Sequence, residues 1–177
     1  MRSILKKLER FGISKINHTD ARLIDHLVGT YEIVKRWGCS EHLCAAALCH
    51  SIYGTESFSK NPATLENRKY LKETIGEKAE RLTYLFGAHV KESLWTNPVE
   101  SPTFRIQDRF ENGEIEISKD DFGDLVTLTL ANWLEQRPRA AIEHRALRTN
   151  EFLRNRSFLP EKAFRDFIEA YDLDPRT

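Results

Sequence analysis

The chain has 177 residues, of which 40% are apolar and 31% charged, the composition of one globular domain with a real core rather than of a disordered segment. Lys plus Arg equals Asp plus Glu at 27 each, so no net field draws the chain to nucleic acid or to an anionic membrane surface. No apolar run approaches the roughly 20 residues that span a bilayer, and the first residues lack the apolar core of a signal peptide, so a cytoplasmic protein is expected.

Residues 2–11 read as a short amphipathic helix stopped by Gly12. His18-Thr19-Asp20 supplies a cap, and Leu23, Ile24, Leu27, Tyr31 and Val34 recur at helical spacing up to Trp37-Gly38. Ser40 caps the next helix, which runs through the small residues Ala45, Ala46 and Ala47 to His50. Its cysteines, Cys39, Cys44 and Cys49, step by five and so face different ways. With no second Cys pair downstream they read as small buried residues.

Ser51 to Pro62 is a loop rich in turn formers. Two helices follow, Thr64 to about Ile75 and Glu77 to about Leu94, broken at Gly76. The period then changes to two: residues 104–107 and 114–117 alternate around Glu111-Asn112-Gly113, a hairpin signal. Ser118 caps a strongly apolar helix through Leu125, Val126, Leu128, Leu130 and Leu134, ended by Arg137-Pro138. Last helices are expected near 139–154 and 161–172. The Arg-rich stretch from Arg137 to Arg156 reads as a solvated helix face. Without a repeat or a low-complexity linker, residues 1–177 form one domain, mainly α, with a small β-hairpin near 104–117.

His18, Arg22 and His26 are spaced by four and share one helix face. The short connection at Trp37-Gly38 makes the next helix antiparallel, which brings His50 back beside His26. On the later apolar helix Asp124, Asn132 and Gln136 form a polar stripe. Asn132, set between Ala131 and Trp133, needs a partner if buried. His89 can face the same pocket, whereas His42 and His144 sit among charges and read as solvated.

The strings Leu23-Ile24-Asp25-His26-Leu27 and Cys44-Ala45-Ala46-Ala47-Leu48-Cys49-His50 resemble the HD superfamily, and most of all its guanosine-tetraphosphate hydrolase branch. His50-Ser51-Ile52-Tyr53-Gly54-Thr55-Glu56 also resembles a little-characterised HD-like family with an H-S-x-Y-G-T signature. The resemblance implies an HD-domain-like helical bundle in which His26, His50 and Asn132 occupy metal-ligand positions. Ser51 stands where the HD aspartate would be, Asn132 where the last aspartate would be, and Gly54 and Thr55 where that branch carries a Glu-Asp pair. Two carboxylates are thereby lost, so that of the one divalent ion expected, zinc, manganese or iron, the harder manganese is disfavoured and zinc or iron, bound mainly by imidazole, needs a further ligand from His18, Asp124 or Glu56. Glu56 is then the general base, and Tyr53 and Thr55 offer hydroxyls. Ser51, Arg22 and Arg68 would hold a small-molecule, anionic substrate. Three functions follow: a metal-dependent hydrolase of a small phosphorylated or anionic substrate, an HD-type dinuclear iron oxygenase, and a metal-free domain that binds a small molecule or a partner.

Overall fold

The computed structural model describes residues 1–18, 21–140, 144 and 146–174, and of His18 and Ala21 the backbone alone. The described residues are mainly helical with a small hairpin, as the apolar periodicity predicts. Helix α1 (Arg2–Leu8) passes through a 3-10 turn to Gly12, whose left-handed φ of 68° ends it. Strands β1 (Asn17–His18) and β2 (Ala21–Arg22) then pair antiparallel, and α2 spans Leu23–Arg36. The expected His18-Thr19-Asp20 cap is corrected. Thr19 and Asp20 lie outside the described residues, and the N-cap position of α2 is Arg22, in extended backbone.

Ser40 does cap α3 (Glu41–Ala47), accepting from the Leu43 amide at 3.4 Å. The helix stops three residues before His50, which therefore sits in the turns that follow. Helices α4 (Arg68–Ile75) and α5 (Glu77–Ala88) are separated at Gly76, where φ is 87°. The helix expected to run on to Leu94 breaks at His89 and Val90, and α6 (Lys91–Trp95) starts afresh. The break has a partner: the Val90 amide donates to the Gln107 carbonyl and the Arg109 amide to Ala88, each at 2.9 Å. Pairing with a strand edge thus replaces two helical hydrogen bonds, and local propensity carries no trace of it.

The hairpin is β3 (Phe104–Asp108) with β4 (Gly113–Ile117), in register Phe104↔Ile117. Its alternation buries Phe104 and Ile106, and Phe104 stacks on Phe122 with centroids 4.3 Å apart. That contact fixes the hairpin against α7 (Lys119–Gln136), which Ser118 caps by accepting from Asp121 at 3.0 Å. Helix α7 is central, with α2, α3, α5 and α9 (Glu161–Tyr171) packed around it. Helix α8 covers only Thr149–Arg154, ten residues shorter at its start than the expected 139–154; residues 141–143 and 145 lie outside the described residues. Of the cysteines only Cys49 is fully buried; Cys39 and Cys44 are partly exposed. No helix among the described residues is long and apolar enough to cross a membrane.

Candidate functional site

The α2–α3 pair brings His26 and His50 together. Their Nε2 atoms lie 2.9 Å apart, both residues have no exposed surface, and the rings meet edge to face. The other ring nitrogens are engaged elsewhere. His50 Nδ1 lies 2.8 Å from the Ala47 carbonyl, and His26 Nδ1 meets a Glu135 carboxylate oxygen in a short contact. Carbonyls and carboxylates accept only, so both Nδ1 atoms carry hydrogen and both Nε2 atoms keep lone pairs in the neutral rings. A third acceptor joins them: Asn132 Oδ1, 3.0 Å from His50 Nε2, its oxygen oriented by the Gln136 amide, which donates to it at 3.1 Å. Phe86 packs edge to face with His50, centroids 4.9 Å apart. Three acceptors this close repel one another unless a cation lies among them, either a shared proton or a metal ion.

Glu135 is the negative end of the arrangement. Burial pushes its carboxyl up, but hydrogen bonds from His26 and Arg139 outweigh that and hold it below the ordinary value. Arg139 reaches both of its oxygens, at 2.7 and 2.6 Å. The approach depends on Gly29, because a Cβ there would lie 2.8 Å from Glu135 Cγ. Neither Glu135 nor Arg139 was expected from the sequence. The available signal was Gly29 itself, a glycine inside a helix that costs about 1 kcal/mol relative to alanine and so implies a close approach.

A cavity of about 710 Å³ adjoins this cluster through Asn132 and Phe86, with Ser51, Asn132 and Gln136 among its polar lining and Phe58, Phe86 and Phe152 among its apolar walls, while His26 and His50 lie behind that lining. Thr55 and Glu56 also line it. The Thr55 loop is held tight by paired backbone bonds with Phe58, at 2.8 and 3.0 Å, which enclose Glu56 and Ser57 and follow Gly54 at φ 72°. Glu56 accepts from the Lys91 amide at 2.9 Å, at the start of α6. His89 lines the same wall, and burial lowers its pKa to about 4, so the ring is neutral near pH 7.

Four expected site residues are elsewhere. Tyr53 is buried and donates to Glu80 at 2.9 Å, and Arg68 holds that same carboxylate through two hydrogen bonds at 2.7 and 3.0 Å. The tyrosine is therefore no cavity hydroxyl, and the arginine clamps a residue of the chain instead of a substrate. Arg22 pairs with Asp25 at 3.0 Å, with both side chains more than half exposed. Asp124 meets His42 at 2.7 Å in a separate groove, so His42 is paired rather than simply solvated. The stripe containing Asp124 fails because eight residues along a helix turn the side chain by about 80° and move it about 12 Å. The side chain of His18 lies outside the described residues. Among the described residues no three His, Cys, Asp or Glu side chains group as a metal site, and His144 is exposed.

Residues 7–90 are similar to a family described as a domain of unknown function (DUF6817). The match takes in His26, His50 and the loop to Glu56, and ends before the helix that supplies Asn132 and Glu135. No curated protein and no solved structure matches the chain.

Proposed function

We propose that the chain is an HD-like domain that hydrolyses a small anionic substrate held in the 710 Å³ cavity, using one divalent ion bound through His26 and His50. The observation that carries this reading is the convergence of two lone-pair-bearing Nε2 atoms whose rings are each fixed from behind. Ligand atoms around a zinc-sized ion at about 2.0–2.1 Å stand roughly 2.9–3.4 Å apart. The spacings of 2.9 Å between the imidazoles and 3.0 Å to Asn132 Oδ1 fit that range. A carboxylate behind a ligating histidine, as Glu135 stands behind His26, raises the basicity of the ring and sets its tautomer. The donor set is two imidazoles and one amide, all neutral, which suits zinc or iron better than a hard ion such as magnesium.

When bound, such an ion polarises the scissile group and lowers the pKa of its water. The chain's own contributions are separate. Ser51, Asn132 and Gln136 give the cavity its hydrogen-bonding side, the phenylalanines keep that part of it dry, and Glu56 at the rim accepts a proton.

A second reading has its own support. One proton shared between the two Nε2 atoms satisfies the same geometry, giving a metal-free pocket that binds a small molecule. Metal analysis of protein purified without a histidine tag separates the two. The hydrolase reading expects about one equivalent of zinc, manganese or iron, lost in His26→Ala and in His50→Ala. Folded protein that is metal-free and cannot be reconstituted would overturn it and leave the second.

A further inference from the structure

The break between α5 and α6 gives the cavity a wall that the imidazole cluster does not use. His89 and Val90 hold extended backbone, with ψ of 134° and 123°. In extended chain, residues two apart project to the same side. Val90 turns its amide to the hairpin, whereas His89 and Lys91 both line the cavity. His89 is 6% exposed, and its Nδ1 donates to the Leu85 carbonyl at 3.1 Å, so its Nε2 keeps a lone pair. Lys91 stands at the rim, where its ammonium donates to the Ser57 hydroxyl. Among the described residues it forms no ion pair with a carboxylate, in contrast to Arg148 of the same cavity, which holds Glu92 and Glu151. The wall therefore offers one neutral acceptor and, two residues on, one cation that feels Glu56 and Glu92 nearby but is locked to neither in an ion pair.

We propose that His89 and Lys91 form the recognition edge of the cavity, selecting a small organic anion that carries a hydroxyl group close to its charge. Lys91 takes the anionic group and His89 accepts from the hydroxyl. This rests on the cavity being the substrate site and is independent of any metal. A buried acceptor built for a donor rejects analogues lacking it, because the acceptor is then left unpaired.

Calorimetric titration with four probes tests this: glycerol 3-phosphate and glycerate, against ethyl phosphate and propionate, which carry the same kinds of charge without a hydroxyl. At least one hydroxylated anion should bind saturably, and about tenfold more tightly than its hydroxyl-free counterpart. Whether the phosphate or the carboxylate pair responds identifies the anionic group. Lys91→Met should weaken binding about tenfold, the loss of one charge-assisted hydrogen bond. His89→Phe, which keeps a ring in place, should erase the preference for the hydroxyl while leaving the hydroxyl-free anion unchanged. Absence of saturable binding, equal affinity for both members of each pair, or an unchanged affinity in a Lys91→Met protein that melts like the parent would each overturn the proposal. Run on the protein as purified and again after chelation, the titration reads heat rather than turnover. Failure of the metal reading leaves its result unmoved, and its own failure in metal-containing protein counts against this inference alone.

Discussion

Two buried polar clusters flank the loop that follows His50, and they differ in their balance of donors and acceptors. On one side Glu80, with no exposed surface, receives Tyr53 and both arms of Arg68. Three donors meet one carboxylate, and Arg68 also lies over the Tyr84 ring at 4.0 Å. Such a cluster is closed: it holds α4, α5 and the loop together and has nothing left to offer a ligand. On the other side, Nε2 of His26, Nε2 of His50 and Oδ1 of Asn132 place three acceptors within about 3 Å steps beside a cavity. Burial and polarity are common to both, so neither marks a site. The make-up does: the first cluster sets three donors on one carboxylate, whereas the second turns three acceptor-capable atoms toward one another beside a cavity.

The sharpest way to break this contrast is Glu80→Leu. Removing the carboxylate strands the Tyr53 hydroxyl and the Arg68 guanidinium at once. A cost of about 3 kcal/mol is expected, at the low end for a broken buried pair because Arg68 is a third exposed and can turn toward water. Urea unfolding reads it as a lower midpoint at unchanged slope. A loss below about 1 kcal/mol would show that the Glu80 cluster is not a structural clamp.

His89 provides the next test, since it asks whether the cavity wall is as dry as its packing implies. Burial holds its folded pKa at about 4, against 6.5 for the free side chain. Between these values the unfolded chain binds the proton and the folded one does not. Stability is therefore full above about pH 6.5 and falls as the pH drops toward 4, by on the order of 3 kcal/mol. The Glu135 carboxylate, held low, loses its contribution only below about pH 4.5 and so does not enter the upper part of the window. Unfolding curves from pH 7 to 4 should be steeper in the parent than in His89→Phe. Parallel curves would mean that water reaches the ring.

The difference between the two clusters also explains what the sequence reveals. His26 and His50 are legible because a short connection after α2 forces an antiparallel pair, and local rules govern both the helix spacing and the Gly38 turn. The hairpin and the capped start of α7 are legible for the same reason. Tyr53 and Arg68 read as functional because the loop and helix are local, but their partner Glu80 lies on α5 and only tertiary packing joins them. The His89–Val90 break is hidden likewise, since the hydrogen bonds that end α5 come from Gln107 and Arg109, 17 and 21 residues downstream of their partners Val90 and Ala88. Asp124 and Asn132 differ from this case: the eight-residue step between them suggests one face until the rotation of about 80° is counted.

Gly29→Ala carries the smallest expected effect and decides it by sign. At a free position within α2 the replacement would stabilise the protein by about 1 kcal/mol, because alanine restricts the unfolded chain and favours helix. Here the new Cβ would meet Glu135 Cγ at 2.8 Å, and the carboxylate would have to swing away from His26. Losing a charge-assisted hydrogen bond to a buried imidazole costs about 1.5–3 kcal/mol. The net expectation is a destabilisation of about 1 kcal/mol, after the helix gain is subtracted. If the metal reading holds, metal content should fall as well, since the carboxylate that fixes the His26 tautomer has moved. A thermal melt that rises on this substitution would mean that Glu135 stands beside His26 without supporting it.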